Sequence, residues 1–122
     1  MTVHRIKLPF GSRPPLHANQ RMGHHEKARV TAQVRRDCGW TVRAQRLGRH
    51  EHVTVGLEWR PTTNRRRDGG ENLAPLLKAA VDSIVDAGVV PDDVPEHVTR
   101  TMPALLPVGE GEPGMWLTVE TP

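Results

Sequence analysis

The segment ENLAPLLKAAVDSIVDAGVVPDD, Glu71 to Asp93, contains the clearest periodic pattern in the chain. Its apolar residues recur at the three- and four-residue spacing of an amphipathic helix, which predicts a helix packed against another layer. Asn72 is the predicted N-cap. Pro75 falls in the first turn, where its missing N–H breaks no helical bond, and Gly88 suits the C-terminal cap. The apolar stripe consists of Leu73, Leu76, Leu77, Ala80, Val81 and Ile84.

Other segments alternate apolar and polar residues, as half-buried strands do. They are His4–Phe10, His52–Trp59 and Met115–Glu120, and His97–Met102 is a candidate for a fourth strand. A second helix is predicted from about Thr31, because Val34, Cys38 and Val42 recur every four residues. The order of elements predicts one mainly antiparallel or mixed sheet with helices packed on it, an α+β fold.

The length and composition suit a single small domain over residues 1–122. Because the chain has one Phe and no Tyr, the predicted core is aliphatic, with Trp40, Trp59 and Trp116 as its largest members. The lone cysteine, Cys38, excludes an internal disulfide and is predicted to be a buried filler. No long apolar run or signal peptide is evident, which favours a cytoplasmic location without membrane contact.

Charge is unevenly distributed along the chain. Residues 1–67 contain 15 Lys or Arg and 4 acids, a balance of +11, whereas residues 68–122 contain 2 and 10, a balance of −8. This asymmetry indicates a polyanionic partner for the basic half. Arginine outnumbers lysine 14 to 3, and its planar fork suits phosphate. A preference for arginine codons is an alternative cause of that ratio, but it does not explain the segregation.

The reversal of charge falls at Arg67-Asp68, where acids surround a strand end and a helix start. Asp68 and Glu71 precede the helix, and Asp92-Asp93 follow it. If these carboxylates converge, they can bind Mg²⁺ or Mn²⁺ through oxygen and so act on phosphodiesters. The purely structural alternatives for these acids are a surface ion-pair cluster, ordinary helix caps and an ordinary turn.

Basic residues around these acids are candidates for phosphate contacts. Lys78, on the helix after Glu71, is placed to reach a scissile phosphate. A long polar loop is predicted over 11–29, and its adjacent His24 and His25 do not have the spacing of a transition-metal pair. We therefore interpret this loop and the basic face of the following helix as contacts for DNA. The predicted DNA-binding residues are Asn19, Arg21, Lys27, Arg35, Arg36, Arg65, Arg66 and Arg67.

RRRDGGENL followed by LLKAAVDSIVDAGVVPDD resembles the signature of the RusA family of Holliday junction resolvases, which phages and prophages typically encode. The family pattern is Arg-Asp-x-Asp-Asn-Leu, a helix that contains a lysine, then Gly and an Asp-Asp pair. The resemblance covers Val53 to about Val119 well. The first strand, with its LPF and the Pro-containing loop after it, agrees more loosely.

Membership would imply a RusA-like fold and a specific set of catalytic residues. Asp68 matches the first metal-binding aspartate, Asp93 matches the aspartate after the helix, and Asp92 is its neighbour. Lys78 matches the helix lysine, and Asn72 matches the asparagine after the second acid. The resemblance further implies a homodimer without an organic cofactor. With Mg²⁺ or Mn²⁺, such a dimer resolves four-way DNA junctions in recombination and repair by paired nicks.

The chain departs from the family pattern at the second acid. Two glycines separate Asp68 from Glu71, so one residue is inserted and Glu replaces Asp. Adjacent glycines make a loop flexible, which lowers the precision of a ligand. A second hypothesis is therefore a junction-binding protein whose cleavage is weakened or lost. A third is an unrelated small DNA-binding or regulatory domain that holds no metal.

Overall fold

A computed structural model of the chain describes residues 1–18, 20–63 and 71–122, and of Glu71 it describes the main chain alone. Within these residues the chain forms a single small α+β domain with one mixed sheet and two helices. The helices are α1, His24–Ala44, and α2, Ala74–Asp86. The strands are β1 (Thr2–Lys7), β2 (Val53–Arg60), β3 (Val98–Arg100), β4 (Ala104–Leu105) and β5 (Gly114–Thr121).

The sheet has the order β1-β5-β2-β3, and the short β4 also pairs with β2. Strand β5 lies antiparallel to both β1 and β2, with Ile6 opposite Leu117 and Leu117 opposite Leu57. Strands β3 and β4 run parallel to β2. Since α2 connects β2 to β3, it forms the crossover that a parallel pair requires.

One face of the sheet holds the core, and both helices contribute to it. The alternating residues Val53, Val55 and Leu57 are buried on β2, as predicted. The whole predicted stripe of α2, from Leu73 to Ile84, is buried as well. Cys38 is buried between Val34 and Val42 on α1, and burial raises the pKa of its thiol to about 12. A thiol with that pKa stays protonated at neutral pH and is not a nucleophile.

The helix starts differ from the predictions. Helix α1 begins at His24, seven residues before Thr31 and inside the segment predicted to be a loop. Its first turns are almost entirely exposed and show no apolar stripe, so periodicity could not detect them. The N-cap of α2 is Leu73, without a side-chain cap, and the predicted cap Asn72 lies in a preceding 3₁₀ turn, Glu71–Leu73. There its carbonyl accepts a hydrogen bond from the N–H of Ala18, at 2.9 Å.

The end of α2 agrees with the prediction. Gly88 follows the C-cap Ala87 with φ +78°, a left-handed conformation that glycine adopts without a steric penalty. The N–H of Gly88 donates to the carbonyl of Val85, at 2.9 Å. Because this turn stops the helix sharply, the next residues are free to reverse direction.

The three tryptophans do not form the centre of the core. Trp59 is partly buried against it, and its indole N–H donates to the carbonyl of Ser12 at 2.8 Å. Trp116 is only 6% exposed but lies on the opposite face of the sheet, beneath the guanidinium of Arg5 at 4.1 Å. Trp40 is 67% exposed on α1, so its prediction as a core residue is wrong.

Neither helix in the described part of the chain has the length and apolar character needed to cross a bilayer.

Candidate functional site

Asp93 and Lys78 are fifteen residues apart, and the fold brings them into contact. Lys78 lies in the second turn of α2, whereas Asp93 follows the end of that helix. At 1.5 Å per residue, Asp86 lies about 12 Å along the helix axis from Lys78. The chain therefore doubles back along α2 after Gly88, and the ammonium of Lys78 donates to Oδ2 of Asp93 at 3.0 Å.

Buried residues hold this returning segment against the domain. Val89 and Val90 are 3% and 1% exposed, and the carbonyl of Val89 accepts a hydrogen bond from the N–H of His50 at 2.7 Å. Beyond Asp93, the carbonyl of Val94 accepts bonds from the N–H groups of His97 and Val98, both at 2.9 Å. Anchors on both sides fix the position of the Asp93 backbone, a condition for a precise site.

Lys78 is held by two carboxylates. Its ammonium also donates to Oδ1 of Asp82, one helical turn further along α2, at 2.9 Å. The bonds to Asp82 and then to Asp93 raise the pKa of Lys78, so this amine is a fixed cation at neutral pH. Held between two acceptors, it is suited to the role of a positioned positive charge and unsuited to that of a base.

Asp93 is the most enclosed acid of the cluster, with its side chain 14% exposed. Arg100 on β3 donates to Oδ2, the oxygen that Lys78 also binds. Burial acts to raise the pKa of Asp93, but the bond from Lys78 and the charge of Arg100 outweigh it and the pKa is lowered. Its main-chain N–H donates to Oδ1 of Asp92 at 2.7 Å, so the carboxylate of Asp92 orders the turn.

The ion pairs continue from this cluster to α1. Arg35 donates to both carboxylate oxygens of Asp86, at 2.5 Å and 2.6 Å, and lies 3.9 Å from Oδ2 of Asp82. Arg35 therefore links the helices, although it was predicted to bind DNA. Sequence reasoning did not single out Asp82 or Arg100. The i, i+4 spacing of Lys78 and Asp82 was a usable signal, whereas no sequence pattern pointed to Arg100.

Several predicted site residues lie outside the described part of the chain. They are Asn19, Arg65, Arg66, Arg67 and Asp68, together with the side chain of Glu71. Among the residues that are described, no three His, Cys, Asp or Glu side chains lie close enough together to hold a metal ion. Asp93 fits as one hard oxygen ligand of Mg²⁺, and Asp92 lies beside it.

The remaining predicted DNA-binding residues lie at the surface. Arg21 precedes α1, and Lys27 and Arg36 are exposed on it. Arg36 donates to the side-chain oxygen of Gln33 at 2.6 Å. Exposure leaves these three cations accessible to a polyanion, in contrast to Arg35.

No protein-family model matches this chain. A search of curated proteins also found no significant match. The resemblance to the RusA family thus depends on the quoted motif.

Proposed function

We propose that the protein is a Mg²⁺- or Mn²⁺-dependent, structure-selective endodeoxyribonuclease that resolves Holliday junctions and other branched DNA by paired nicks. The observation that carries the proposal is the contact between Lys78 and Asp93. The motif pairs a lysine on the helix with an aspartate after it, and these two side chains are adjacent in space. A helix and its return segment are rigid supports, as catalytic groups require.

The proposed chemistry divides among the residues of the motif. Asp93 would hold a divalent metal together with Asp68 and Glu71, with Asp92 next to them. The metal, when bound, would stabilise the attacking and leaving oxygens of phosphodiester hydrolysis. Lys78 is a fixed cation beside Asp93, so it would stabilise negative charge on the scissile phosphate.

A second candidate function is junction binding with weak or no cleavage. Two observations favour it. Lys78 and Arg100 already neutralise Asp93 through the same oxygen, and the Asp-Gly-Gly-Glu spacing departs from the family pattern. A carboxylate that is already paired gains less from a metal, so metal binding would be weaker.

The test is incubation of the purified protein with a synthetic four-way junction and with a linear duplex of matching sequence. Each DNA receives Mg²⁺, Mn²⁺ or EDTA. The proposal predicts paired nicks in the junction alone, dependent on metal. Asp68→Asn and Asp93→Asn should each lower the cleavage rate by about a hundredfold or more.

Asp92→Asn is the matched control, because an amide oxygen can still accept the bond from the N–H of Asp93. We expect it to retain far more activity than Asp93→Asn. Tight binding of the junction without nicks in either metal would favour the second function. Equal affinity for junction and linear duplex, again without nicks, would rule out both.

A further inference from the structure

Helix α1 presents an exposed row of side chains opposite the core. At 100° per residue, Arg29, Arg36, Trp40 and Arg43 fall on one side of the helix, away from the buried stripe of Val34, Cys38 and Val42. All four side chains are exposed. We name this set the α1 ridge. It was not recognised as a unit in the sequence, because Trp40 was expected inside.

The arginines of the ridge form no ion pairs within the described part of the protein. Within the described residues, no carboxylate lies within 4.0 Å of Arg29, Arg36 or Arg43, whereas Arg35 is fully paired with Asp86. Arg43 donates to the main-chain oxygen of Asp86 at 3.1 Å, and its charge contributes to the lowered pKa of the Asp86 carboxyl, whose direct partner is Arg35. Seven-residue spacing puts successive arginines of the ridge about 10 Å apart. Such a row of positive charge attracts a polyanion.

Trp40 adds a flat ring to this row. An indole that is 67% exposed leaves a large apolar surface in water. The guanidinium of Arg43 lies 5.8 Å from the ring centroid and orients it. The neighbours of Trp40 on the ridge are arginines, so it is not the centre of a contiguous apolar patch of the kind that docks proteins. An aromatic ring among phosphate-binding cations is instead the arrangement that stacks on unpaired bases.

We propose that the α1 ridge binds single-stranded or unpaired segments of nucleic acid. Trp40 stacks on an unstacked base, and Arg29, Arg36 and Arg43 hold the phosphates beside it. The inference extends the proposed function, since a branch point is where bases of a junction are least stacked. It depends on that function only for the expectation that the partner is a nucleic acid, and not on cleavage.

The test measures binding of single-stranded DNA of about twelve nucleotides, within the usual site size. A matched strand in which the central bases are replaced by abasic sites keeps the phosphates. Trp40→Ala should weaken binding of the intact strand about tenfold, and Trp40→Phe should weaken it less. On the abasic strand the wild type and Trp40→Ala should bind alike. A 2-aminopurine in the intact strand should be quenched by the wild type and not by Trp40→Ala.

Met102→Ala is the control, because Met102 is 66% exposed and lies between β3 and β4, outside α1. It should bind as the wild type does. The proposal is overturned if Trp40→Ala binds within about twofold of the wild type, if the loss persists on the abasic strand, or if Met102→Ala loses as much. It is also overturned if sedimentation shows that Trp40→Ala disrupts self-association while strand binding is unchanged, since the ridge would then contact another copy.

Junction cleavage separates this inference from the proposed function. Metal-dependent nicking together with binding that is independent of Trp40 would overturn the inference alone. Trp40-dependent strand binding without nicking would support the inference and contradict the endonuclease. Absence of binding to strand and junction alike would overturn both.

Discussion

The two helices use charge in opposite ways. On α2, Lys78, Asp82 and Asp86 are all ion-paired with residues outside the helix. On the α1 ridge, Arg29 and Arg36 have no carboxylate partner among the described residues. Arg35 and Arg36 show the contrast between adjacent positions, because the first ties α1 to Asp86 and the second faces solvent.

This difference separates charge that organises the protein from charge that is available to a ligand. Ion pairs between elements fix side chains at the cost of accessibility, whereas solvated cations keep their full attraction for a polyanion. The basic balance of residues 1–67 is therefore not one uniform surface. We expect substitutions in the two groups to change different measurements.

The largest expected effect is on cleavage, by Lys78→Gln. Loss of the fixed cation beside Asp93 should lower the junction cleavage rate about a hundredfold, because such charges act mainly on the transition state. Affinity for the junction, measured in EDTA, should change by less than about threefold. Single-turnover kinetics measure the cleavage rate, and fluorescence anisotropy measures the affinity for the junction.

Lys7→Gln is the matched control for this substitution. Lys7 bonds Glu112 on the sheet face away from the helices, so its loss removes the same charge outside the candidate site. Equal losses of cleavage in both variants would mean that Lys78 contributes only to the overall field.

The next largest effect is on affinity, by Gln replacement of all three ridge arginines, Arg29, Arg36 and Arg43. On single-stranded DNA each phosphate contact adds about 0.7 to the magnitude of the slope of log K against log[salt], so that magnitude should fall by up to about 2.1. Affinity should fall by at least about tenfold at moderate salt, with the single-turnover rate at saturation preserved. An unchanged slope would show that phosphates bind elsewhere.

Sequence patterns predicted those parts of the structure that repeat. The apolar stripe of α2, the alternation of β2 and the cap at Gly88 all follow from local periodicity or backbone chemistry, and all are confirmed. The exposed start of α1 lacked a stripe, so its first six residues, 24–29, were assigned to a loop. Trp40 was expected inside because it sits in a periodic element, whereas its position on the solvent side of α1 follows from the helix phase once the buried stripe is known.

The candidate site was predictable only in part. The motif named Lys78 and Asp93, and the folding back of the chain after Gly88 brings them together. Arg100 joins the site through a tertiary contact with Asp93 that sequence spacing does not predict. The contact of Asp82 with Lys78 is different, because the i, i+4 spacing of the two residues on α2 indicates it. Asp68 and the side chain of Glu71 lie outside the described residues, so their roles stay predictions.

A smaller effect is expected on stability, by Arg35→Gln. This substitution removes the two bonds to Asp86 that join the helices and should lower the free energy of unfolding by about 1 kcal/mol. Arg36→Gln removes one exposed bond to Gln33 and should cost about 0.3 kcal/mol or less. Urea denaturation measures both values. Equal costs would contradict the division between the two arginines.

The smallest effect is a pH dependence of the same pair. The bonds and charge of Arg35 lower the pKa of Asp86 below its ordinary value of 3.8. A carboxylate with a lowered folded pKa contributes stability that is present above its unfolded pKa and is lost as the pH falls through the folded one. The stability advantage of the wild type over Arg35→Gln should therefore be constant above about pH 5 and shrink below about pH 4.

Because both side chains are partly solvated, 0.5 M salt should reduce that advantage at neutral pH as well. Urea titrations of the two proteins at a series of pH values measure it. If the free energies of unfolding of the two proteins differ by the same amount at every acidic pH, Arg35 stabilises α1 through packing of its aliphatic stem. Its charge would then be as free as that of Arg36.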